Sequence, residues 1–221
     1  MKEINYLIHM SPTREWYVNE FLIPSMIEQG INRDKIFTYN DTNGDGNLPS
    51  FLFSSQRYFD QDLWHLQDDV VLSRDFAKNT QKYYAKVVCG FCSEYSRDVP
   101  RGYVHPDKMW FSFQCIFICK EIMQDFLNWC EVYASKSPKY RKFFNRKKSD
   151  DMLFTLFLRD KHMDTKILNL APNLVDHIDY LLGGSIINKE RSANARSIYF
   201  PEGKVITELE KKLNERSKLL L

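Results

Sequence analysis

Two pairs of adjacent aspartates stand out in this 221-residue chain. Asp68-Asp69 closes the run Leu63-Trp64-His65-Leu66-Gln67 and is followed at once by Val70-Val71-Leu72, while Asp150-Asp151 stands between Ser149 and Met152-Leu153. Acids placed where an apolar run surfaces are costly to desolvate unless a cation pairs with them. A divalent metal that also bridges phosphate oxygens is one such cation, since hard oxygen ligands suit Mg2+ and Mn2+. A carboxylate at a helix start has a second use, taking the proton of an attacking hydroxyl. There the helix dipole predicts a lowered pKa. His177, in Val175-Asp176-His177-Ile178-Asp179, offers a neutral nitrogen suited to Mn2+. Plainer roles compete for the same residues: solubilising strand-end acids, helix capping and a core histidine.

The elements that must position these groups follow from pattern. Residues 4–10 read as a buried strand, and Ser11-Pro12 reads as an N-cap followed by proline at the first helical position. The helix runs to about Gln29 with Pro24 bending it, and residues 35–39 make a second strand. Strand-helix-strand at the start predicts a mostly parallel sheet that binds ligands at the carboxyl ends of its strands. Ser11, Thr13 and Arg14 after the first strand are therefore candidate ligand contacts. Asn40 and Asp41 after the second would hold a ribose or base, and Arg74 past the acidic run would counter a phosphate. Ser50 is expected to cap a helix to about Phe59. Residues 86–91, 109–118 and 166–170 read as strands, and residues 121–134 and 150–159 as helices. From Gly203, Val205, Leu209 and Leu213 recur at helical spacing. The expected organisation is one α/β domain over residues 1–200 and an amphipathic C-terminal helix over 201–221.

Composition narrows the classes. A formal charge of +2 gives no bulk electrostatic argument for any partner. Five cysteines, an odd number, fit a reducing compartment better than a disulfide framework. No apolar run is long enough to cross a bilayer and the N-terminus does not read as a signal, so a soluble cytoplasmic protein is expected. Cys89/Cys92 and Cys115/Cys119 fall in apolar strands, where buried thiols are a better reading than a zinc site. Asp41-Thr42-Asn43-Gly44-Asp45-Gly46-Asn47 mimics half a calcium loop, but Leu52 stands where a bidentate Glu is needed. A Gly/Asn/Asp turn is the simpler account.

Three pieces, in order, carry a resemblance. Gln67-Asp68-Asp69-Val70 resembles the metal-binding acidic motif of nucleotide-sugar glycosyltransferases with the GT-A fold, which in many members reads Glu-Asp-Asp at a strand end. Trp110-Phe111-Ser112-Phe113-Gln114 running into Lys120-Glu121, then Ser149-Asp150-Asp151-Met152-Leu153, looks like the segments that shape the acceptor side and supply a base. Ala171-Pro172-Asn173-Leu174-Val175-Asp176-His177, followed by Gly183-Gly184-Ser185 and Ala195-Arg196-Ser197-Ile198, is similar to the Pro-Ser-Leu-x-x-His-x-Gly-x-x-Ser segment near the end of many such enzymes. The resemblance implies a Rossmann-like, mixed and mostly parallel central sheet flanked by helices. It implies a nucleotide-sugar donor such as a UDP-sugar and an inverting transfer. Mn2+ or Mg2+ would be held by Asp69 and His177, with Asp68 on the ribose or a metal-bound water. Asp151, or Asp150, would be the base. Gln67 replaces the leading acid and brings no charge, so the nucleotide must supply much of the metal affinity.

The acceptor is suggested by one run. Lys136, Lys139, Arg141, Lys142, Arg146, Lys147 and Lys148 are interleaved with Tyr140, Phe143 and Phe144 directly before Asp150. Phosphate neutralisation and base stacking would make that a polyanion surface, whereas a solvated basic loop is the plain alternative. Small bacteriophage-encoded transferases, some of which glycosylate hydroxymethylated bases in DNA, are similar in type, which makes DNA a candidate beside saccharide and protein hydroxyls. Two other classes compete: a non-catalytic nucleic-acid or partner-binding protein on a degenerate scaffold, and a nucleotidyltransferase using the same acids.

Overall fold

A computed structural model of the chain describes residues 4–83, 85–92, 98–109, 113–146, 149–183, 200 and 203–219. Strands β1 (Asn5–Met10), β2 (Ile36–Asn40), β3 (Leu63–Gln67), β4 (Val70–Leu72), β5 (Val87–Cys89), β6 (Gly102–Val104), β7 (Cys115–Ile118), β8 (Ile167–Asn169) and β9 (Val175–His177) form two sheets among these residues. The larger has the order β2-β1-β3-β7-β5-β8-β6, and β4 pairs with β9 in a separate ribbon. β1 is parallel to β2 and β3, and β5 to β8, whereas β7 is antiparallel to β3 and β5, and β6 to β8. Five strands therefore share one direction, and the fold is a mixed, mostly parallel α/β sheet flanked by helices: the opening predicts the parallel part, and the resemblance implies the mixed sheet.

The central strands are buried almost throughout, with Leu7, Ile8, Trp64, Leu66, Cys115 and Ile116 inaccessible to solvent. That is the pattern of a sheet covered on both faces. Helices Asn47–Arg57, Lys120–Trp129 and Asp150–Lys161 share an aromatic core. In it the Phe126 ring lies 5.2 Å from both Phe154 and Phe157 and 6.1 Å from Phe51. All five cysteines are buried and unbridged. Burial, then the neighbouring Cys89, raises the Cys115 thiol well above its ordinary pKa, which keeps it protonated.

Several elements differ from expectation, each for a physical reason. The first helix is a chain of segments, 3-10 at Pro12–Arg14, α at Glu15–Tyr17, π at Val18–Leu22 and α at Ile23–Glu28. The widened π turn sits just before Pro24, where a proline ring crowds the carbonyl four residues back. Ser50 does not cap its helix, which starts three residues earlier at Asn47 after Gly46. Gly46 takes φ +91, a left-handed turn that glycine tolerates, and Pro49 falls in the first turn where its missing N–H costs nothing. The acids do end a strand as expected, β3 stopping at Gln67, but the apolar segment after their turn leaves for a second sheet as β4. Of the strand expected over 109–118, only Cys115–Ile118 is strand, with residues 110–112 outside the described set. No membrane-length apolar helix occurs among the described residues.

Candidate active site

The turn at Asp68-Asp69 lies at the carboxyl end of β3, beside the loop that leaves β1. Asp68 Oδ2 accepts hydrogen bonds from the backbone N–H of Ser11 at 2.6 Å and from its hydroxyl at 3.0 Å. This is why Ser11 makes no capping bond to its own helix. Arg14 is buried, and its Nη1 donates to Asp68 Oδ1 at 3.2 Å and to Asp69 Oδ2. Pairing of Val70 with His177 across β4 and β9 carries the histidine to the same place. The backbone N–H of Ile178 bonds to the Asp69 carbonyl at 2.8 Å, and His177 Nε2 stands 3.1 Å from Asp69 Oδ2. Asp179 Oδ1 is 3.8 Å from His177 Nδ1. Tyr17 braces the turn through its hydroxyl, which donates to the Val70 carbonyl at 2.8 Å.

The electrostatics divide the acid pair. Burial favours the neutral form of Asp69, but His177 and Arg14 outweigh it and lower its pKa to about 2. Asp68 goes the other way, to about 6, because burial and the charge on Asp69 exceed the help from Arg14 and Ser11. For His177, burial opposes the proton and Asp69 more than restores it, so its pKa is raised. Asp69 Oδ1 is buried and has no hydrogen-bond partner among the described residues.

A cavity of about 330 Å³ opens from this cluster. Its walls include Ser11, Thr13, Arg14, Asp41, Gln67, Asp68, Asp69, Phe113 and Asp150. Asp150 begins the helix Asp150–Lys161 after Ser149, which holds φ +66 and ψ +45. A non-glycine residue there stores strain of about 1–3 kcal/mol, a cost often found beside functional groups. The dipole argument for a lowered pKa fails here: burial, then repulsion from Asp151, pushes Asp150 up to about 7.

The sequence candidates separate in space. Ser11, Thr13, Arg14, Asp41, Asp68, Asp69 and Asp150 meet at the cavity, and His177 joins through Asp69. Asp151 does not line it; its Oδ1 accepts from the Met152 N–H at 2.7 Å. Arg74 is exposed and pairs with Glu208 at 3.5 Å, away from the acids, because the chain turns out of β4 toward the C-terminal helix. Asn40 donates to Glu15 at 3.1 Å and is absent from the cavity wall. Asp41 spends its carboxylate on the N–H groups of Asp45 and Gly46, at 2.9 and 3.0 Å, the turn rather than the calcium loop. Within the basic run, Tyr140 and Phe143 are buried, so they are not stacking platforms, while Lys136, Lys139, Arg141, Lys142 and Arg146 remain exposed. Trp110, Phe111, Ser112, Lys147, Lys148, Gly184, Ser185 and residues 195–198 lie outside the described residues. Sequence reasoning missed His9, His65 and Phe51 in the cavity wall; the signal was a histidine inside the apolar run of each of two adjacent parallel strands.

No family model matches the chain, and no curated protein matches it by sequence. Among solved structures, the 1-349 fragment of S. aureus TarS superposes on 81% of this chain and 62% of its own length, with TM-score 0.52 and 13% identity. The same fragment in complex with UDP-GlcNAc matches 79% of this chain and 57% of its own, with TM-score 0.50 and 13% identity. The inositol-1-phosphate CTP transferase of T. maritima aligns over 97% of this chain and 98% of its own at TM-score 0.49 and 13% identity. The chain spans less than two thirds of the TarS fragment. What is shared with TarS at this identity is the fold.

Proposed function

We propose that the chain is a nucleotide-sugar-dependent glycosyltransferase that takes the donor at the Asp68-Asp69 turn and deprotonates the acceptor with Asp150. The observation that supports it is a single cavity, at the carboxyl ends of β1 and β3, joining a buried acid–arginine–histidine cluster to a carboxyl with a pKa near neutrality. Among the described residues no group of three or more His, Cys, Asp or Glu side chains is placed to hold a metal ion. A divalent cation here would therefore take Asp69, with its buried unpartnered oxygen, and His177, and would draw its remaining ligands from the donor phosphates. Such an ion would absorb the negative charge of a departing diphosphate. Arg14, set between the two acids, is placed to meet phosphate oxygens, and Ser11 and Thr13 continue that wall. Asp68, with its raised pKa, is suited to a ribose hydroxyl.

Asp150 replaces Asp151 as the base. A carboxylate with pKa about 7 is matched to removing a hydroxyl proton near neutral pH. As the acceptor oxygen bonds to the anomeric carbon, its proton passes to Asp150, and the carbon–oxygen bond to the diphosphate breaks with its electron pair on the leaving group. Direct displacement of this kind inverts the anomeric centre. The exposed basic side chains of 136–146 precede Asp150, which favours a polyanionic acceptor, hydroxymethylated DNA among them. We read residues 1–200 as the catalytic unit and 201–221 as its helical appendage. Mass spectrometry of hydroxymethylated DNA, oligosaccharides and peptides after incubation with a sugar-nucleotide panel and Mn2+ tests the assignment. A hexose-sized mass gain on one acceptor class is expected. Pyrophosphate release from a nucleoside triphosphate would move the chain to the nucleotidyltransferases, and binding without turnover to the non-catalytic class.

A further inference from the structure

Along the cavity wall runs a partly buried hydrogen-bonded line that the transfer chemistry does not use. The Ser54 hydroxyl lies 3.1 Å from His9 Nδ1, and His9 Nε2 lies 3.0 Å from His65 Nδ1. His9 and His65 both line the cavity, together with Ser50, Phe51 and Phe113. The line ends at His65 Nε2, which is buried and has no hydrogen-bond partner among the described residues. Buried polar atoms are nearly always paired, so an orphan at a cavity wall marks a partner that arrives with a ligand.

We propose that His65 Nε2 accepts a hydrogen bond from a neutral O–H or N–H of the ligand that fills this cavity, and so selects for a hydroxyl or amino group there. The direction follows from proton bookkeeping. Ser54 has one hydroxyl proton and two neighbours at 3.1 Å, the Phe51 carbonyl, which can only accept, and His9 Nδ1, which can take either role, so both contacts are satisfied only with the proton on the carbonyl. Its oxygen then accepts from His9 Nδ1–H, which leaves His9 Nε2 as an acceptor for His65 Nδ1–H. A neutral imidazole protonated at Nδ1 carries a lone pair at Nε2. Both rings are neutral, since burial lowers the His9 pKa to about 3 and that of His65 well below its ordinary value. His65 is for the same reason a poor general base, and its role is recognition. A buried acceptor rejects an analogue that lacks the donor, because the atom is then left unpaired in the complex. This inference rests on the nucleotide-sugar reading; the hydrogen-bond donor is either on the sugar or on the nucleoside.

Calorimetric titration of UDP and UDP-GlcNAc into the wild type and His65→Phe separates these sources. Phenylalanine keeps a ring and removes the acceptor, so affinity should fall about three- to tenfold. A loss confined to UDP-GlcNAc places the donor group on the sugar, and an equal loss for both places it on the nucleoside. Unchanged affinity for both ligands in a folded variant overturns the proposal. Should His65→Phe not fold, nitrogen-15 spectra of the wild-type histidines carry the test: His65 Nε2 must be unprotonated alone and shift when either ligand saturates the protein. A protonated Nε2, or one that does not move while ligand binds, overturns this proposal alone. Failure of every nucleotide and nucleotide-sugar to bind the wild type removes the transferase reading and this inference with it.

Discussion

Asp150 carries opposed demands in one carboxyl group. Its folded-state pKa of about 7 lies above the ordinary value of about 3.9, so the stability it contributes is fully present below about pH 4 and is lost as pH rises through about 7. Asp150→Asn should therefore raise the melting temperature at pH 8 more than at pH 4, while abolishing transfer and sparing donor binding. In the wild type the rate should fall about tenfold per pH unit below neutrality, as the base becomes protonated. A rate flat from pH 5 to 8 would remove Asp150 from the mechanism. Arg14 gives a second prediction. Deleting one partner of a buried ion cluster costs about 3–5 kcal/mol, so Arg14→Ala should lower the denaturation midpoint, and Mn2+ should recover part of the loss by pairing with the bared acids. The residue types of this cluster were legible in the sequence because adjacent acids in an apolar run are improbable without a counter-charge. Their partners were not: nothing in the spacing of Arg14 and Asp68 says that the arginine turns inward, and the raised pKa of Asp150 depends on burial that a one-dimensional pattern does not contain.

At the level of elements, the short ribbon of β4 and β9 holds His177 beside Asp69. The strand end at Asp68-Asp69 was legible in the sequence, but not that residues 70–72 join a second sheet, since hydrophobicity resumes at once and the turn of acids has no glycine or proline to announce it. The helix Asp150–Lys161 was legible from periodicity and runs only two residues further than expected, whereas the helix after β1 was legible in extent but not in its 3-10 and π turns. The start of the helix Asn47–Arg57 was misplaced because Ser50 imitates a cap, whereas Gly46, at φ +91, makes the actual entry. Gly46→Ala should cost about 1 kcal/mol or somewhat more in urea denaturation, since alanine is strained at positive φ. Because Gly46 and Asn47 also line the cavity, the same variant should bind donor more weakly.

For the molecule as a whole, the mixed sheet places one rim of strand ends against one cavity, and the C-terminal helix Gly203–Leu219 covers a different surface. That helix buries Ile206 and Leu209 beside a groove lined by Tyr17, Phe21, Val71 and Leu72. Arg216 bonds Glu20 at 2.6 and 3.0 Å and lies 4.1 Å over the Trp16 ring. Deleting 203–221 should lower the melting temperature and create dye-binding apolar surface, because Tyr17, which braces the acid turn, would lose its cover. The α/β class was legible because a strand-helix-strand opening leaves few topologies, while the reversed strands β6 and β7 were not, since pairing direction is decided by distant partners. The central claim is that the Asp68-Asp69 turn grips the diphosphate of a nucleotide-sugar through a cation. Calorimetric titration of UDP-GlcNAc into the wild type and Asp69→Ala, with and without Mn2+, tests it most directly. Mn2+ should strengthen wild-type binding about tenfold or more, a coupling of ordinary size, and the gain should vanish in a folded Asp69→Ala. Binding that ignores both the metal and the substitution would contradict the claim.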